Sequence, residues 1–192
     1  GLIHITGAGT STINASQATD GNYPAASVNQ TLTVNQAALT VTADNKTKFE
    51  QVANPPLTIT YTGFVLGETS AVLLTQPSIS TTAVLASPPG TYPITVTGAT
   101  AANYTITHVN GVMTVTPKQN QTITFNAIAT KTYGNAPFAT GATSTNNTIP
   151  ITYTSSNTAV ATVSGSTITI TGAGTSTITA MQAGNDGYFP AT

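Results

Sequence analysis

Cysteine is absent from this 192-residue chain. Its absence excludes disulfide bridges, thiolate zinc sites and cysteine nucleophiles. Tryptophan and arginine are absent as well, and charged residues make up only 5% of the chain, with a net charge of -1. Because binding to nucleic acid or to anionic lipid depends on clustered positive charge, we predict no nucleic-acid partner and no membrane contact for this segment.

Long apolar runs are also missing, since no stretch approaches the roughly 18 to 20 residues that a membrane-spanning helix needs. The first residues do not show a charged segment followed by an apolar one, which is the pattern of a secretory signal. We therefore expect any export or anchoring signal to lie outside this sequence.

An internal repeat is the most informative feature that is present. The stretch ITGAGTSTI occurs at Ile5–Ile13 and again at Ile170–Ile178, and an ungapped alignment of residues 1–27 with residues 166–192 keeps this offset of 165 throughout. A fixed period of this length indicates an array of small domains, so we expect the chain to be a segment of a longer repeat protein. The identical positions of the first copy are Ile3, Ile5, the run Thr6–Ile13, Ala15, Gln17, Ala18, Tyr23 and Ala26.

Alternation of β-branched residues with polar ones dominates the local pattern. Such alternation is typical of half-buried strands, and no segment carries a sustained helical period. Only TSAVLLTQ (Thr69–Gln76) is compatible with a single helical turn. The sequence therefore predicts an all-β fold of antiparallel sandwiches. The alternating runs are LTVTA (Leu39–Ala43), LTITYTG (Leu57–Gly63), TYPITVTG (Thr91–Gly98), NYTITHV (Asn103–Val109), VMTVT (Val112–Thr116), QTITF (Gln121–Phe125) and STITITG (Ser166–Gly172).

Asn110-Gly111 lies between two of these runs and predicts a hairpin. A two-residue type I′ turn needs two positive φ angles, which Asn-Gly adopts readily. In that hairpin Val109 would face Val112. The residues expected on its inner face are Tyr104, Ile106, His108, Met113 and Val115.

The phase of the repeat divides the chain into three parts. Residues 1–36 are expected to be the end of one sandwich, residues 37–117 a complete sandwich, and residues 118–192 a sandwich without its last strand. The junctions are short, so we expect a stiff rod-like array. An unpaired strand edge attracts other strands, and we expect the incomplete units to be loose or to exchange strands between molecules.

The middle part resembles the MBG repeats of bacterial surface proteins, which are immunoglobulin-like modules. The resemblance is carried by LTVTADNKTK (Leu39–Lys48), NPPLTITYTGFVLGE (Asn54–Glu68) and GTYPITVTGATAANYTITHVNGVMTVTP (Gly90–Pro117). The family commonly has an aromatic-glycine pair shortly before the Asn-Pro, whereas this chain reads KFEQVANP (Lys48–Pro55).

The flanking parts resemble bacterial immunoglobulin-like repeats of group 2. The resemblance is carried by ITYTSSNTAVATVSGSTITITGAGTSTITA (Ile151–Ala180) and by its partial copy at residues 1–15. Together the two resemblances imply tandem immunoglobulin-like sandwiches in a long bacterial adhesin. In such proteins these domains act as spacers and sometimes as binding tips.

Residues that could carry chemistry are isolated in the sequence. His4 aligns with Thr169 and is expected at an outward strand position, and neither it nor His108 has ligand-like spacing. The pairs Asp44-Asn45 and Asp186-Gly187 could contribute to a weak calcium site, although turn chemistry explains them as well. A lysine-to-asparagine cross-link promoted by a buried acid is a further alternative. Its candidates are Lys46, Lys48 and Lys131 with Glu50 or Glu68.

Exposed aromatic residues are the candidates for ligand contact. Tyr23, Tyr188 and Phe189 lie in glycine-rich loops, although their recurrence at the repeat period also suits a role at a domain junction. The Thr-x-Thr triplets could bind ice only on a flat face, and sandwich strands twist by about 20 to 25° relative to their neighbours.

The sequence thus predicts a non-catalytic stalk or spacer of an extracellular adhesin or filament at the bacterial cell surface, without cofactor or metal. The alternative is a module that itself binds carbohydrate or a protein receptor. Expected partners are neighbouring repeats, other copies through exposed edge strands, and a cell-surface glycan or protein at a distal site.

Overall fold

The computed structural model describes residues 2–192, and the predicted all-β sandwich fold is confirmed. A 3₁₀ helix, Ser70–Val72, lies between the fifth and sixth strands and is the helical turn expected in Thr69–Gln76. The strands in chain order are β1 (Gly9–Gln17), β2 (Ala26–Val34), β3 (Ala37–Ala43), β4 (Lys46–Phe49), β5 (Ile59–Thr62), β6 (Ser78–Thr81), β7 (Gly90–Thr97), β8 (Tyr104–Val109), β9 (Gly111–Thr116), β10 (Ile123–Thr124), β11 (Phe138–Ala139), β12 (Thr143–Ser144), β13 (Ile151–Ser155), β14 (Ala161–Ser164), β15 (Thr167–Ile170) and β16 (Ile178–Gln182).

The chain forms two compact units. The first unit comprises residues 2–48 and 53–115, and the second comprises residues 49–52 and 116–192. The three-part division by repeat phase and the rod-like arrangement stay predictions.

The first unit contains a sandwich of two sheets. One sheet has the order β5-β3-β8 and the other has the order β4-β9-β7-β6. The alternation in AALTVTA and GVMTVT places every second side chain between the sheets, where burial of apolar surface stabilises the domain. The deeply buried side chains of this core include Leu39 and Val41 of β3, Ile94 and Val96 of β7, and Met113 and Val115 of β9.

The predicted hairpin at Asn110-Gly111 is wrong. Strand β8 runs parallel to β3, whereas β9 runs antiparallel to β7 in the opposite sheet. Neither Asn110 nor Gly111 has a positive φ, because the chain passes from one sheet to the other instead of reversing. The Oδ1 atom of Asn110 accepts a hydrogen bond from the N–H of Val96 at 3.2 Å, which holds the crossing segment against β7.

Glycine is required at position 111 because the backbone there passes close to the backbone of Ala43, and not because the chain turns. A Cβ atom at this position would lie 2.4 Å from the carbonyl oxygen of Ala43, a distance that side chains do not tolerate. The same crossing changes the expected inner face. Met113 is buried, but His108 is exposed, and Val109 does not face Val112.

Strands β1 and β2 form a two-stranded hairpin within the first unit. Their register runs from Gly9 opposite Val34 to Gln17 opposite Ala26. The segment before β1 is tied to residues preceding β8, because the N–H of Ala8 donates to Oδ1 of Asn103 at 2.9 Å.

The second unit has shorter strands and a more polar interior. Its sheets have the orders β11-β15-β14, β13-β16 and β10-β12. Gln182 is only 1% exposed; its Nε2 donates to the carbonyl oxygen of Asn146 at 2.6 Å, and its Oε1 accepts from the hydroxyl of Ser144 at 2.5 Å. Hydrogen bonds of this kind are needed because burying an unpaired amide is unfavourable.

Substituting Gly111 tests the crossing between the sheets. We expect Gly111→Ala to destabilise the first unit by about 2 to 3 kcal/mol, because the added methyl group overlaps the Ala43 carbonyl. The measurement is urea unfolding of the 192-residue chain, followed through NMR signals of the first unit. Val112→Ala, at the neighbouring half-exposed position, is the control and should change stability by less than about 0.5 kcal/mol. Equal effects of the two substitutions would contradict this account of Gly111.

Candidate functional site

Tyr23 lies at the tip of the β1–β2 hairpin and is 68% exposed. The loop before it is an Asx turn, in which Oδ1 of Asp20 accepts hydrogen bonds from the N–H groups of Asn22 at 3.0 Å and Tyr23 at 2.9 Å. The hydroxyl of Thr19 donates to the carbonyl oxygen of Tyr23 at 2.8 Å. The ring is therefore presented to solvent on a loop whose backbone is fixed by its own side chains.

The carboxylate of Asp20 is stabilised in its charged form. The N–H of Tyr23, followed by that of Asn22, lowers the pKa of this carboxyl below its ordinary value of 3.8. At neutral pH the hairpin tip thus combines an exposed phenol with a carboxylate whose lone pairs are partly used by the backbone.

The second copy repeats this turn with a different outcome. The Oδ1 atom of Asn185, the counterpart of Asp20, accepts hydrogen bonds from the N–H groups of Gly187 at 2.9 Å and Tyr188 at 3.0 Å. Here, however, the loop pairs with the segment at Gln119, whose N–H donates to the Gly187 carbonyl at 2.8 Å and whose carbonyl accepts from the N–H of Phe189 at 2.9 Å.

The three aromatic residues predicted to contact a ligand therefore differ in their exposure. Tyr188 and Phe189 are half-buried by the pairing with Gln119, and the Nζ atom of Lys118 lies 5.9 Å from the centre of the Phe189 ring. Tyr23 belongs to the first unit. Ligand contact by any of the three stays a prediction.

The two histidines are both exposed. His4 lies outside any strand, unlike its counterpart Thr169 in β15, so its predicted strand position is wrong. Thr169 is paired with Thr162 of β14, whereas His4 has no strand partner among the described residues.

The carboxylate of Asp44 accepts hydrogen bonds from neighbouring hydroxyl groups. Its two oxygens accept hydrogen bonds from Thr58 and, at 2.7 Å, from Thr60. The Thr58 hydroxyl, followed by that of Thr60, lowers the pKa of Asp44, and Lys46 adds a smaller electrostatic effect. Within residues 2–192 no three acidic or histidine side chains form a group that could hold a metal ion.

Lys48 is buried, which sequence reasoning missed. Its Nζ donates to the carbonyl oxygen of Val84 at 2.6 Å, and the side-chain amide of Asn54 donates to the adjacent Ala83 carbonyl at 2.6 Å. Together they fasten the loop before β7 to the segment around β4. The strand KTKF misleads sequence reasoning because its lysine Lys48 is buried, whereas its aromatic residue Phe49 is exposed.

Three other members of the proposed cross-link, Lys131, Glu68 and Glu50, interact with other groups. Lys131 Nζ lies 4.8 Å from the centre of the Phe138 ring, and the carboxylate of Glu68 accepts a hydrogen bond from the hydroxyl of Tyr104. An oxygen of Glu50 accepts from the N–H of Lys118 at 2.9 Å. The cross-link stays an untested alternative.

These features define a class of protein: a β-sandwich module with an apolar core and, among the described residues, no group of side chains that could hold a metal ion. Residues 39–114 match the family model of the MBG domain (YGX type), so this part of the chain is an MBG domain. The family is a structural, immunoglobulin-like one that occurs in bacterial surface proteins. The search of curated proteins found no match. The group 2 resemblance of the flanking parts stays a prediction.

The family's aromatic-glycine pair is replaced here by a turn without glycine. Gln51 adopts a φ of 57°, and the N–H of Val52 donates to the carbonyl oxygen of Phe49 at 3.3 Å. The segment thus forms a turn in which a residue with a Cβ atom occupies a left-handed conformation. As for membrane-spanning elements, the described residues include no helix with the length and apolarity to cross a bilayer.

The two copies of the Asx turn supply a matched test at the hairpin tip. We expect Asp20→Ala to speed hydrogen exchange at the amide of Tyr23, because that N–H loses its acceptor. Asp20→Asn should preserve protection, since Asn185 forms the same turn in the second copy. The measurement is hydrogen exchange by NMR; faster exchange in the asparagine variant than in the alanine variant would contradict the assignment.

The lowered pKa of Asp20 adds a pH dependence to the same amide. The hydrogen bond is fully present above the ordinary carboxyl value of 3.8 and is lost as the pH falls through the lower folded-state pKa. Chemical shifts of the Tyr23 amide should therefore titrate below pH 3.8 in the parent chain and stay constant in Asp20→Asn.

Proposed function

We propose that the chain is a non-catalytic spacer segment of a bacterial cell-surface adhesin or extracellular filament. The observation that carries this proposal is the parallel pairing of β3 with β8, which sets how the MBG domain responds to a pulling force. Its membership in a structural family of bacterial surface proteins supports the same proposal.

The pairing places the two ends of the domain on opposite sides of a parallel ladder. The register runs from Ala37 opposite Tyr104 to Thr42 opposite Val109. After Asn110 the chain continues into β9, the last strand of the domain. A force applied at residues 36 and 117 therefore shears β3 against β8, so that all the hydrogen bonds of this ladder resist together.

The surface chemistry suits an extended repeat protein. With charged residues at 5% and a net charge of -1, solubility depends on exposed threonine, serine and asparagine. On this proposal the segment holds a distal binding element away from the cell, and its own role is mechanical.

Pulling in two directions tests the mechanical role. The chain lacks cysteine, so Gln36→Cys/Pro117→Cys provides two unique handles for shear, and Gln36→Cys/Ala102→Cys provides handles at the same end of the ladder. Both variants lose the hydrogen bond from Gln36 Nε2 to the Ala102 carbonyl, which makes them comparable. In single-molecule force spectroscopy we expect a several-fold higher rupture force when the chain is pulled at residues 36 and 117 than at residues 36 and 102. Pulling at residues 36 and 102 opens the hydrogen bonds between β3 and β8 one at a time. Equal forces would remove the main support for a spacer.

Carbohydrate or receptor binding is the second candidate, favoured by the exposure of Tyr23 beside the Asp20 carboxylate. On this hypothesis the intact 192-residue chain should give signals on a glycan array, and Tyr23→Ser should abolish them. Tyr133→Ser is the matched control, because Tyr133 is equally exposed at 68%. Equal signals from both variants would exclude Tyr23 as the contact, and an array without signal would favour the spacer.

A further inference from the structure

Strand β8 forms a free edge of the MBG domain. It pairs with β3 on one side only, in the sheet of order β5-β3-β8. It lies within the segment that matches the MBG family, residues 39–114, so this edge belongs to the domain itself. An unpaired edge presents N–H and C=O groups to which a further strand can bind.

The register with β3 decides which backbone groups of β8 face outward. The N–H of Ala37 donates to the carbonyl oxygen of Asn103 at 2.9 Å, and Ala37 lies opposite Tyr104. In a parallel pair each residue bonds to the two neighbours of the residue opposite, so the odd-numbered residues of this segment bond to β3. The N–H and C=O groups of Tyr104, Ile106 and His108 therefore point away from β3, and within residues 2–192 no other strand pairs with them.

The other three edge strands of the sandwich are protected against pairing with another molecule. β4 contains Lys46 and the buried Lys48, and the carboxylate of Asp44 accepts a hydrogen bond from Thr60 of β5 at 2.7 Å. β6 has only four residues and follows Pro77. Charge, proline and shortness are common means by which proteins prevent such pairing.

Strand β8 has none of these protections. It has six residues, which makes it the longest of the four edge strands, and it contains no proline. Residues 69–117 contain no lysine, arginine, aspartate or glutamate. Two β8 edges can therefore approach each other without repulsion between charged side chains. The exposed side chains of the strand are Thr105, Thr107, His108 and Val109.

Strand β8 is also complementary to a second copy of itself in an antiparallel pairing. When Ile106 lies on the two-fold axis, Tyr104 comes opposite His108 of the second copy. These are the three residues whose backbone groups face outward, so each of them donates one hydrogen bond and accepts one across the axis. Thr105 then comes opposite Thr107 of the second copy, and Thr-Thr pairs of this kind stabilise antiparallel strands.

We propose that two copies of the chain associate side by side through β8, in the antiparallel register centred on Ile106. The pairing joins two sheets into one of order β5-β3-β8-β8-β3-β5. Both copies use the same surface, so the contact is isologous and closes at two domains. The two MBG domains then point in opposite directions, as they would in proteins that extend from two facing surfaces. The inference goes beyond the spacer role, because it gives the domain a contact with its own kind.

A single contact of this kind is weak. It buries little apolar surface, and the association must offset the lost freedom of two molecules. In a protein that repeats the domain, the first pairing brings further domains close together and strengthens the whole contact. The measurements on the 192-residue chain therefore use high protein concentration or cross-linking. They apply no force, so their outcome is independent of the pulling test of the spacer role.

Site-directed cysteines test the contact, because the native chain has no cysteine. When Thr105→Cys protein is oxidised with isotopically labelled Thr107→Cys protein, we expect the mixed disulfide to form about tenfold faster than with Ser80→Cys protein, since pairing raises the effective concentration of the thiols. Ser80 is an exposed position of the edge strand β6. Both mixtures contain the same Thr105→Cys protein, so the loss of the hydrogen bond from Thr105 to Gln36 affects them equally. Equal rates with the two partners would overturn the proposal.

The register gives a second test with the same proteins. Thr105 and Thr107 of the second copy come opposite each other with Cα atoms about 4.5 Å apart, which suits a disulfide. The two Thr107 residues lie on a diagonal, about 7 to 8 Å apart. Thr107→Cys protein alone should therefore form disulfide dimers more slowly than the mixture. Equal or faster dimer formation by Thr107→Cys protein alone would show a different register, and the proposal would be wrong.

Proline at position 108 tests the role of the backbone. The N–H of His108 faces outward, so His108→Pro keeps the hydrogen bonds with β3 but removes a donor of the proposed contact. We expect the NMR signal of the Ile106 amide to shift with protein concentration in the parent chain and to stay constant in His108→Pro. His108→Ala keeps the N–H and should behave like the parent chain. Equal concentration dependence in the two variants would exclude pairing through this edge.

A charge at the centre of the contact gives a test that leaves the backbone unchanged. Thr107→Lys brings two positive charges close together across the axis, so the concentration dependence of the Ile106 amide should be lost at low salt. Thr107→Gln is the uncharged control of similar size and should retain it. The same concentration dependence in both variants would contradict the proposed contact.

Discussion

The MBG domain depends on the passage of the chain between two sheets at Asn110 and Gly111. The backbone at Gly111 lies so close to the carbonyl oxygen of Ala43 that no side chain fits between them. Because β8 stays beside β3 and β9 joins β7, the crossing joins both sheets around one core. The first strand of the domain, β3, lies parallel to its penultimate strand, β8, and the proposed mechanical role depends on this pairing.

The repeated stretch ITGAGTSTI shows which properties are local. Gly9 and Gly174, at equivalent positions, have φ angles of 138° and 141°. Their surroundings nevertheless differ. Gly172 approaches the carbonyl of Ala159, whereas its counterpart Gly7 approaches the side chain of Asn103 in the MBG domain. The backbone conformation at this glycine thus persists although the neighbouring groups differ.

The two units are stabilised in different ways. Apolar side chains fill the sandwich of the first unit, whereas buried amides occupy part of the interior of the second. Asn146 donates from Nδ2 to Oε1 of Gln121 at 3.0 Å, and Gln121 Nε2 donates to the Ala183 carbonyl at 2.7 Å. Buried hydrogen bonds are directional, so the partners of Gln182 fix the position of its amide within the second unit.

The sequence alone determined the regularly alternating strands, such as β3, β7 and β9, together with the repeat and the all-β class, because alternation acts over a few neighbouring positions. It also identified the MBG segment. It could not assign strands to sheets, which is why Asn110-Gly111 predicted a hairpin, nor could it foresee the burial of Lys48. Tyr23 and Tyr188 follow equivalent Asx turns, yet one is exposed and the other is half-buried, because only Tyr188 lies beside Gln119. Tertiary structure decides burial, since it depends on which distant segments cover a residue.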